Sequence, residues 1–440
     1  PPGPAPAGAA PTLGVVQLLP TGGSLTLSSS VAREKTDNTF SVLSPAWTTS
    51  VGIELRQPLL RNRAIDPARQ GLRVARVDRT RSSAALRRVA TETVAAVERA
   101  YWTLDAARKE FEARRSSVAL AEAQMRDVEA RVEAGTLSES DLASPVAEIE
   151  RRKGELFAAR EAEARAENAL KAILVGDPED LLWTSRVVPV EDAGEDAGAR
   201  AAIAVDVAAA EARRPEVAEA AARLERLAVE DEVARDRVRP QLDLVAGYLG
   251  RGLAGGRNPG IAPPFPATIS VPDALDGGLA RSLGTIGEGR FPDASVGVAF
   301  SLPLGNRAAR ADAAQVRSAR SQAELALVRA RQQVGVELRN AAVAVETAEQ
   351  RLLAARAGRA AAETQLGAEG ERFQAGLTTS FFVLTRQNEL TQAHLAETRA
   401  LSDLRKARVE LSRADGTLLS DRNILVEETE SARGPQGGSR

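Results

Sequence analysis

Between Leu72 and Ala134 the chain runs for 63 residues without a glycine or a proline, so nothing in this stretch interrupts an α-helix. At about 1.5 Å per residue such a helix is a rod roughly 95 Å long. Along it Val97, Leu104, Phe111, Val118, Met125 and Val132 recur every seven residues, with Ala100, Ala107, Ala121 and Val128 three positions further on. A sustained period of seven is a coiled-coil seam. Shifted by 241 positions, the series reads Leu338, Val345, Leu352, Arg359, Leu366 and Phe373, five of the six apolar. The chain contains its long helix twice.

The duplication continues past the helix, because Gly135 at its end becomes Gly376 under the same offset. Both glycines read as tips of helical hairpins. A returning heptad follows each, Leu142, Ile149, Leu156 and Leu170 in the first repeat and Val383, Leu390, Leu404 and Leu411 in the second, with one polar break apiece at Glu163 and Glu397. Upstream, Gln57-Pro58-Leu59-Leu60-Arg61-Asn62-Arg63 resembles Leu302-Pro303-Leu304-Gly305-Asn306-Arg307 at an offset of 245. A four-residue shift of that kind is a stutter that coiled coils tolerate.

A length of 440 residues would suggest about three globular domains, yet 27% charged residues and 3% aromatics describe rods better than compact cores. The net charge of −2 leaves no basic footprint for nucleic acid, and the arginines, interleaved with Glu and Asp along the helices, read as solvated faces. There is no cysteine, which removes disulfides, thiolate chemistry and the usual attachment point of a lipoprotein anchor. No apolar run is long enough for a transmembrane helix. The chain begins at Pro1 without a signal segment, so a signal peptide is expected upstream.

Elsewhere the period changes to two. Leu25, Leu27, Ser29 and Val31 alternate with Thr26, Ser28 and Ser30, and Trp47, Thr49, Val51, Ile53 and Leu55 alternate with Thr48, Ser50, Gly52, Glu54 and Arg56. The second repeat supplies a matching pair, Leu242 to Tyr248 and Val296 to Leu302. These are four strands with one apolar face each, long enough to cross a bilayer when tilted. A four-stranded sheet has two open edges, which a membrane forbids, so other copies must complete it. Leu253 to Asp293, rich in Gly and Pro, reads as a long irregular loop at one end. Val175 to Ala212 reads as an irregular belt with an acidic linker at Glu191 to Gly198, and Arg214-Pro215-Glu216 opens a helix running to about Val238.

Strand, strand, very long helix, Gly-tipped turn and return helix, all duplicated, resemble the TolC family of outer-membrane efflux proteins over roughly residues 15 to 420. The resemblance is carried by the run Leu55-Arg56-Gln57-Pro58-Leu59-Leu60-Arg61, by Arg214-Pro215-Glu216 and by Phe373-Gln374-Ala375-Gly376-Leu377-Thr378-Thr379. It implies a mainly α protein with membrane β structure, a homotrimer whose twelve-stranded β-barrel in outer-membrane lipid is continued by a periplasmic α-helical barrel. It further implies an exit duct for a tripartite efflux or type I secretion system, joined through a periplasmic adaptor to an inner-membrane pump of the RND, ABC or MFS class, without enzymatic activity or cofactor. On this reading the chain divides into an extended N-terminal segment (1–23), barrel strands (24–57), a long hairpin (58–175), an equatorial linker (176–212), a helix (213–238), barrel strands with an extracellular loop (239–304), a second long hairpin (305–419) and a disordered tail (420–440). Ser28, Ser30, Ser50 and Glu54 would line a wet lumen.

Each tip places a glycine after the outgoing helix, where a left-handed residue ends it, then one exposed leucine and hydroxyl residues that cap the next helix. In the first repeat these are Gly135, Thr136, Leu137 and Ser138, with Ser138 and Asp141 as a capping pair; in the second they are Gly376, Leu377, Thr378 and Thr379. The resemblance makes these tips the contact with the adaptor. Asp141 keeps an acidic position at the periplasmic aperture. The positions acidic in the best-known relative are Phe382 and Thr385 here, and the basic partner is Thr378, so Phe381 and Phe382, with Phe373 nearby, suggest an aromatic closure. His394, the single histidine, reads as a solvated surface residue, not as a base or metal ligand. Two other readings compete: a soluble coiled-coil scaffold, disfavoured by strands with an apolar outer face, and a periplasmic adaptor, which would carry one hairpin where this chain has two.

Overall fold

The computed structural model describes residues 7–190, 205–260 and 270–426. The expected acidic linker and most of the expected C-terminal tail lie outside them. The chain forms two compact units, one of residues 1–79 and 223–324 and the other of residues 80–222 and 325–440.

The first unit is built on an antiparallel sheet of six strands, not the four expected: β1 (Ala7–Ala9), β2 (Thr12–Leu18), β3 (Ser24–Lys35), β4 (Leu43–Pro58), β5 (Gln241–Arg257) and β6 (Phe291–Ser301). The strands β3, β4, β5 and β6 follow one another across the sheet, while β1 and β2 both pair with β3. Adjacent Val15 and Val16 break the alternation in β2, so its sequence does not announce a strand; it becomes one by folding back on β3 through a turn at Gly22, whose φ is +84°. In that turn the Gly22 amide donates to Leu19 O at 3.0 Å and the Leu19 amide to Gly23 O at 2.8 Å.

The register fixes which side chains share a face. Leu27, Ile53 and Tyr248 stand in one row, and Leu25, Leu55, Ala246 and Val296 in the next. The opposite face carries Ser30 beside Ser50 and Thr26 beside Glu54. There the Ser30 and Ser50 hydroxyls meet at 2.7 Å, and Arg251 pairs with Asp293 at 3.3 Å. The expected irregular loop is partly ordered, since β5 runs on to Arg257 and a helix, Leu279–Gly287, packs against β4 and β5.

Helix α1 (Pro67–Glu133) and helix α2 (Ala143–Leu174) form the first hairpin. Helices α3 (Val207–Arg213) and α4 (Pro215–Val238) follow, and α5 is the Leu279–Gly287 segment. Helices α6 (Arg307–Gln374) and α7 (Ser380–Asp415) form the second hairpin, and α8 (Leu418–Asp421) closes the described chain. Asn62 and Asn306, in the turns that lead into the two long helices, both adopt positive φ, 66° and 38°, a conformation asparagine tolerates better than most residues. Among the described residues no helix is long and apolar enough to cross a membrane.

In the second unit the heptad positions do the packing. Leu104 joins Ala166 and Leu170 between α1 and α2, and Val345, Ala348 and Leu352 join Leu404 between α6 and α7. Ala95 and Trp102 meet Val409 and Leu418. Not every arginine is a solvated face. Arg152 is 2% exposed and donates to Ser117 O at 2.9 Å, Leu384 O at 3.3 Å and Glu148 at 2.7 Å, tying α2 to α1 and α7.

The Arg214-Pro215-Glu216 motif is explained the same way. Arg214 is 4% exposed, pairs with Glu216 at 2.9 Å and Glu337 at 2.8 Å, and donates to Ala414 O at 3.3 Å. Burial alone would lower its pKa; the two carboxylates outweigh that and raise it. Pro215 meanwhile supplies the first residue of α4, where no amide hydrogen is needed.

The polar breaks in the second repeat meet each other. Arg359 of α6 pairs with Glu397 of α7 at 3.2 Å, and Arg356 reaches the same carboxylate at 3.3 Å. At the equivalent positions 241 residues earlier stand Val118 and Leu156, so charged residues in the second repeat stand where the first has apolar ones. Glu163, the break in the first repeat, is instead neutralised by Arg186 at 3.1 Å. Glu397→Leu alone leaves two guanidinium groups short of their carboxylate. It is expected to lower stability by about 1–3 kcal/mol, between an exposed pair and a fully buried one. Arg359→Val together with Glu397→Leu installs the first repeat's own residues and is expected to recover most of that loss in a denaturant-unfolding double-mutant cycle.

Candidate functional site at the hairpin tips

Both long helices end in the same way. The Gly135 amide donates to Val132 O at 2.9 Å and the Thr136 amide to Arg131 O at 2.9 Å; 241 residues later the Gly376 amide donates to Phe373 O at 3.1 Å and the Leu377 amide to Arg372 O at 2.9 Å. Both glycines have φ +73°. This is the left-handed closure that satisfies the last carbonyls of a helix.

After the glycine the tips diverge. In the first, Ser138 caps a short turn, Glu139–Leu142, that leads into α2: its amide donates to Asp141 Oδ2 at 3.0 Å, and its hydroxyl accepts from the Ser140 amide at 3.4 Å. Asp141 is exposed, but its carboxylate serves the cap. In the second, Thr379 precedes α7 without a side-chain cap, and the Thr378 hydroxyl turns back to donate to Glu369 Oε1 at 2.6 Å.

The two leucines are not equivalent, contrary to the expectation of one exposed leucine per tip. Leu377 occupies the position of Thr136 and is 79% exposed. Leu137 occupies the position of Thr378 and is half-buried. The first residue after each glycine points away from the hairpin and the second points back into it, so only the second tip presents a leucine.

The expected aperture residues lie close to these turns. Phe381 and Phe382 are exposed on the first turn of α7 and meet edge to face, 5.6 Å between ring centroids. The Thr385 hydroxyl is engaged with Phe381 O at 2.8 Å. Phe373 is covered by the Arg131 guanidinium, 4.5 Å above its ring, and Arg131 also pairs with Asp127 at 3.1 Å. This cation–π contact joins the end of α1 to the end of α6. Sequence reasoning missed it because Arg131 looked like one more solvated arginine; its signal was a basic residue in the last turn of one long helix and an aromatic in the last turn of the other.

Farther along the hairpins, a cavity of about 640 Å³ is lined by Asp105, Arg108, Lys109, Arg359, Thr391 and His394. Lys109 is held by Asp105 at 2.9 Å, and His394 is exposed at the cavity's edge. Among the described residues no group of three or more His, Asp or Glu side chains is arranged to hold a metal ion.

An antiparallel sheet with one apolar and one polar face, in a chain with two long, duplicated α-hairpins with Gly tips, is the pattern of outer-membrane efflux proteins. The chain belongs to the outer membrane efflux protein family, whose model matches residues 17–176 and 207–417. Among solved structures it is similar to the outer-membrane channel OprN (TM-score 0.64, 18% identity, covering 94% of this chain and 81% of that one). It is also similar to the Campylobacter jejuni outer-membrane channel CmeC (0.63, 15%, 94% and 78%) and to the open state of the Neisseria gonorrhoeae channel MtrE (0.62, 18%, 94% and 81%). No curated protein sequence matches it. The family gives the chain its general role, an exit channel of the outer membrane and periplasm.

The different burial of the two leucines has a measurable consequence. Leu137→Ala is expected to lower thermal stability by about 1–2 kcal/mol, less than a fully buried leucine costs. Leu377→Ala is expected to change it by less than about 0.5 kcal/mol, as surface substitutions do. Thermal unfolding of the two variants side by side checks this.

Proposed function

We propose that three copies of this chain close a twelve-stranded barrel in the outer membrane and serve as the passive exit duct of a tripartite efflux or type I secretion system. In this reading residues 24–57 and 239–304 supply the barrel strands, residues 58–175 and 305–419 the periplasmic hairpins, and an adaptor on the hairpin tips links the duct to an inner-membrane pump. The observation that carries it is β6. All eleven of its residues are exposed, including Val296, Val298 and Phe300 at 82%, 63% and 63%, and among the described residues no strand pairs with its outer backbone edge. An edge of that kind cannot stay open in hydrocarbon, where every peptide group must be paired within protein.

The strand directions limit what can close it. From β2 to β6 the strands alternate, so β2 and β6 run the same way. A neighbouring copy's β3 meets β6 antiparallel, and its β2 would meet it parallel. Closure by antiparallel pairs with an even strand count, the rule for bacterial barrels, therefore takes β3 of the neighbour and requires β1 and β2 to leave that edge.

With no native cysteine, Val15→Cys and Leu27→Cys, register partners across β2 and β3, can be joined by oxidation. The oxidised double variant is expected to stay monomeric and the reduced one to form detergent-stable trimers, read by native mass spectrometry. A water-soluble monomer in both states overturns the duct reading. At the tips, Leu377→Asp is expected to leave the trimer intact and weaken adaptor binding at least about tenfold, since a desolvated charge and a lost apolar contact act at three sites of one ring. Normal binding would move the adaptor contact away from the second tip. Phe382→Ala is expected to raise single-channel conductance; unchanged conductance returns Phe382 to ordinary hairpin packing.

A further inference from the structure

Helix α5 is built inside out for a surface helix in water. Its two hydroxyl residues, Ser282 and Thr285, are wholly buried against the sheet. Ser282 Oγ meets Thr49 Oγ1 at 2.8 Å and donates to Trp47 O at 3.1 Å. Thr285 Oγ1 donates to Ser282 O at 2.7 Å and accepts from the Leu253 amide at 3.2 Å. The side turned outward carries Ala280, Leu283 and Gly287, with Leu283 46% exposed, and Leu279 and Ile286 flank it. The one charged residue, Arg281, lies on the other flank and is satisfied by Ala274 O at 2.8 Å and Glu288 at 3.0 Å. A helix facing water turns its hydroxyls out and its leucines in.

The strands beneath are shaped for this helix. Directly under it β5 carries Gly250, Gly252 and Ala254. A Cβ on Gly252 would stand 2.1 Å from Ser282 O and 2.3 Å from Thr49 Oγ1, and one on Gly250 would stand 3.0 Å from Ile286 Cγ2. Pairing puts Gly250 opposite Val51 and Gly252 opposite Thr49, on the same face as Ile53, Tyr248, Val296 and Val298. Helix α5 thus lies on the apolar face of the sheet, at the end away from the connections to α1 and α6. On β5 the bulky residues of that face run only from Leu242 to Tyr248. That is about 20 Å of strand, or roughly 15 Å of height at a 45° tilt, against the ~25 Å band of an outer-membrane barrel. The missing height falls where α5 covers Gly250 to Ala254.

We propose that α5 lies within the outer leaflet on the lipid side of the barrel, where its Leu283 face takes over from the strands as the surface that contacts lipid acyl chains. This rests on the barrel reading given above, and the test separates the two. Single-cysteine variants Leu283→Cys, Val298→Cys and Ser295→Cys carry an environment-sensitive fluorophore, and the full chain is reconstituted in phosphatidylcholine vesicles containing nitroxide-labelled phosphatidylcholine. Val298 reports the apolar face of the strands and Ser295 the polar face. The expected result is that the labels at Leu283 and Val298 are quenched by the lipid nitroxide at least about twofold more than the label at Ser295, and resist aqueous iodide. Lipid quenching at Val298 with iodide quenching at Leu283 overturns the α5 proposal and leaves the barrel standing. Iodide quenching at both positions overturns both.

Discussion

The requirement that every peptide N–H and C=O find a partner governs this chain wherever it meets lipid. Within the helices the requirement is met locally. In the sheet it is met only between strands, so the two outer edges decide what the protein can be. One edge, on β3, is occupied by β1 and β2 from the same chain; the other, on β6, has no partner strand among the described residues. An exposed, apolar, eleven-residue edge strand is the most aggregation-prone feature a sheet can present. Its persistence here makes sense when the same surface is a lipid-facing barrel wall and the edge is a subunit junction. In the proposed trimer, the hairpin of β2 on β3 would cover one of the two edges of the unassembled chain.

The helical unit solves a different problem with the same economy of apolar surface. With 3% aromatic residues it has few large side chains to bury. It relies on alanine and leucine at heptad spacing and on close approach where Ala95, Ala121 and Ala210 are almost wholly buried. Where the seam meets a corner, buried arginines bridge elements that apolar contacts do not reach. Arg152 spans three helices through two backbone carbonyls, and Arg214 ties the start of α4 to α6 and α7. A guanidinium suits these places because its fixed fork of donors serves several acceptors at once and stays charged under burial.

Much of this was legible in the sequence for a definite reason. Periodicity survives without knowledge of neighbours, so the heptads, the offset of 241 and the alternating strands announced the hairpins and the four central strands. The Gly tips were legible because ending a helix in the left-handed region is a local demand. What escaped was decided by partners. β2 carries no alternation and exists through its pairing with β3. α5 follows a Gly- and Pro-rich stretch and is helical over only nine residues. Arg131 over Phe373 joins residues 242 apart that have no local reason to meet. Leu137 and Leu377 looked alike because each lies near a glycine, yet the turn geometry sends the first residue after the glycine outward and the second inward.

The duplication makes the two hairpins comparable position by position, and the comparison shows where they have stopped being interchangeable. The closing geometry of the tips is shared down to the torsion of the glycine. The residues presented by that geometry differ: Thr136 against Leu377, a capped Ser138 against an uncapped Thr379. Within the hairpins, Val118 and Leu156 in one repeat are matched by Arg359 and Glu397 in the other. An apolar pair tolerates sliding between helices, because dispersion contacts are non-directional, whereas a charged pair with partly desolvated partners favours one register. Charged pairs set register in both hairpins, Arg114 with Glu155 in the first and Arg359 with Glu397 in the second, while the tip of the second is the one that exposes an apolar side chain. A ring of three such chains would therefore have threefold character at its mouth despite six similar hairpins, with alternate tips offering a leucine and a threonine to whatever docks there.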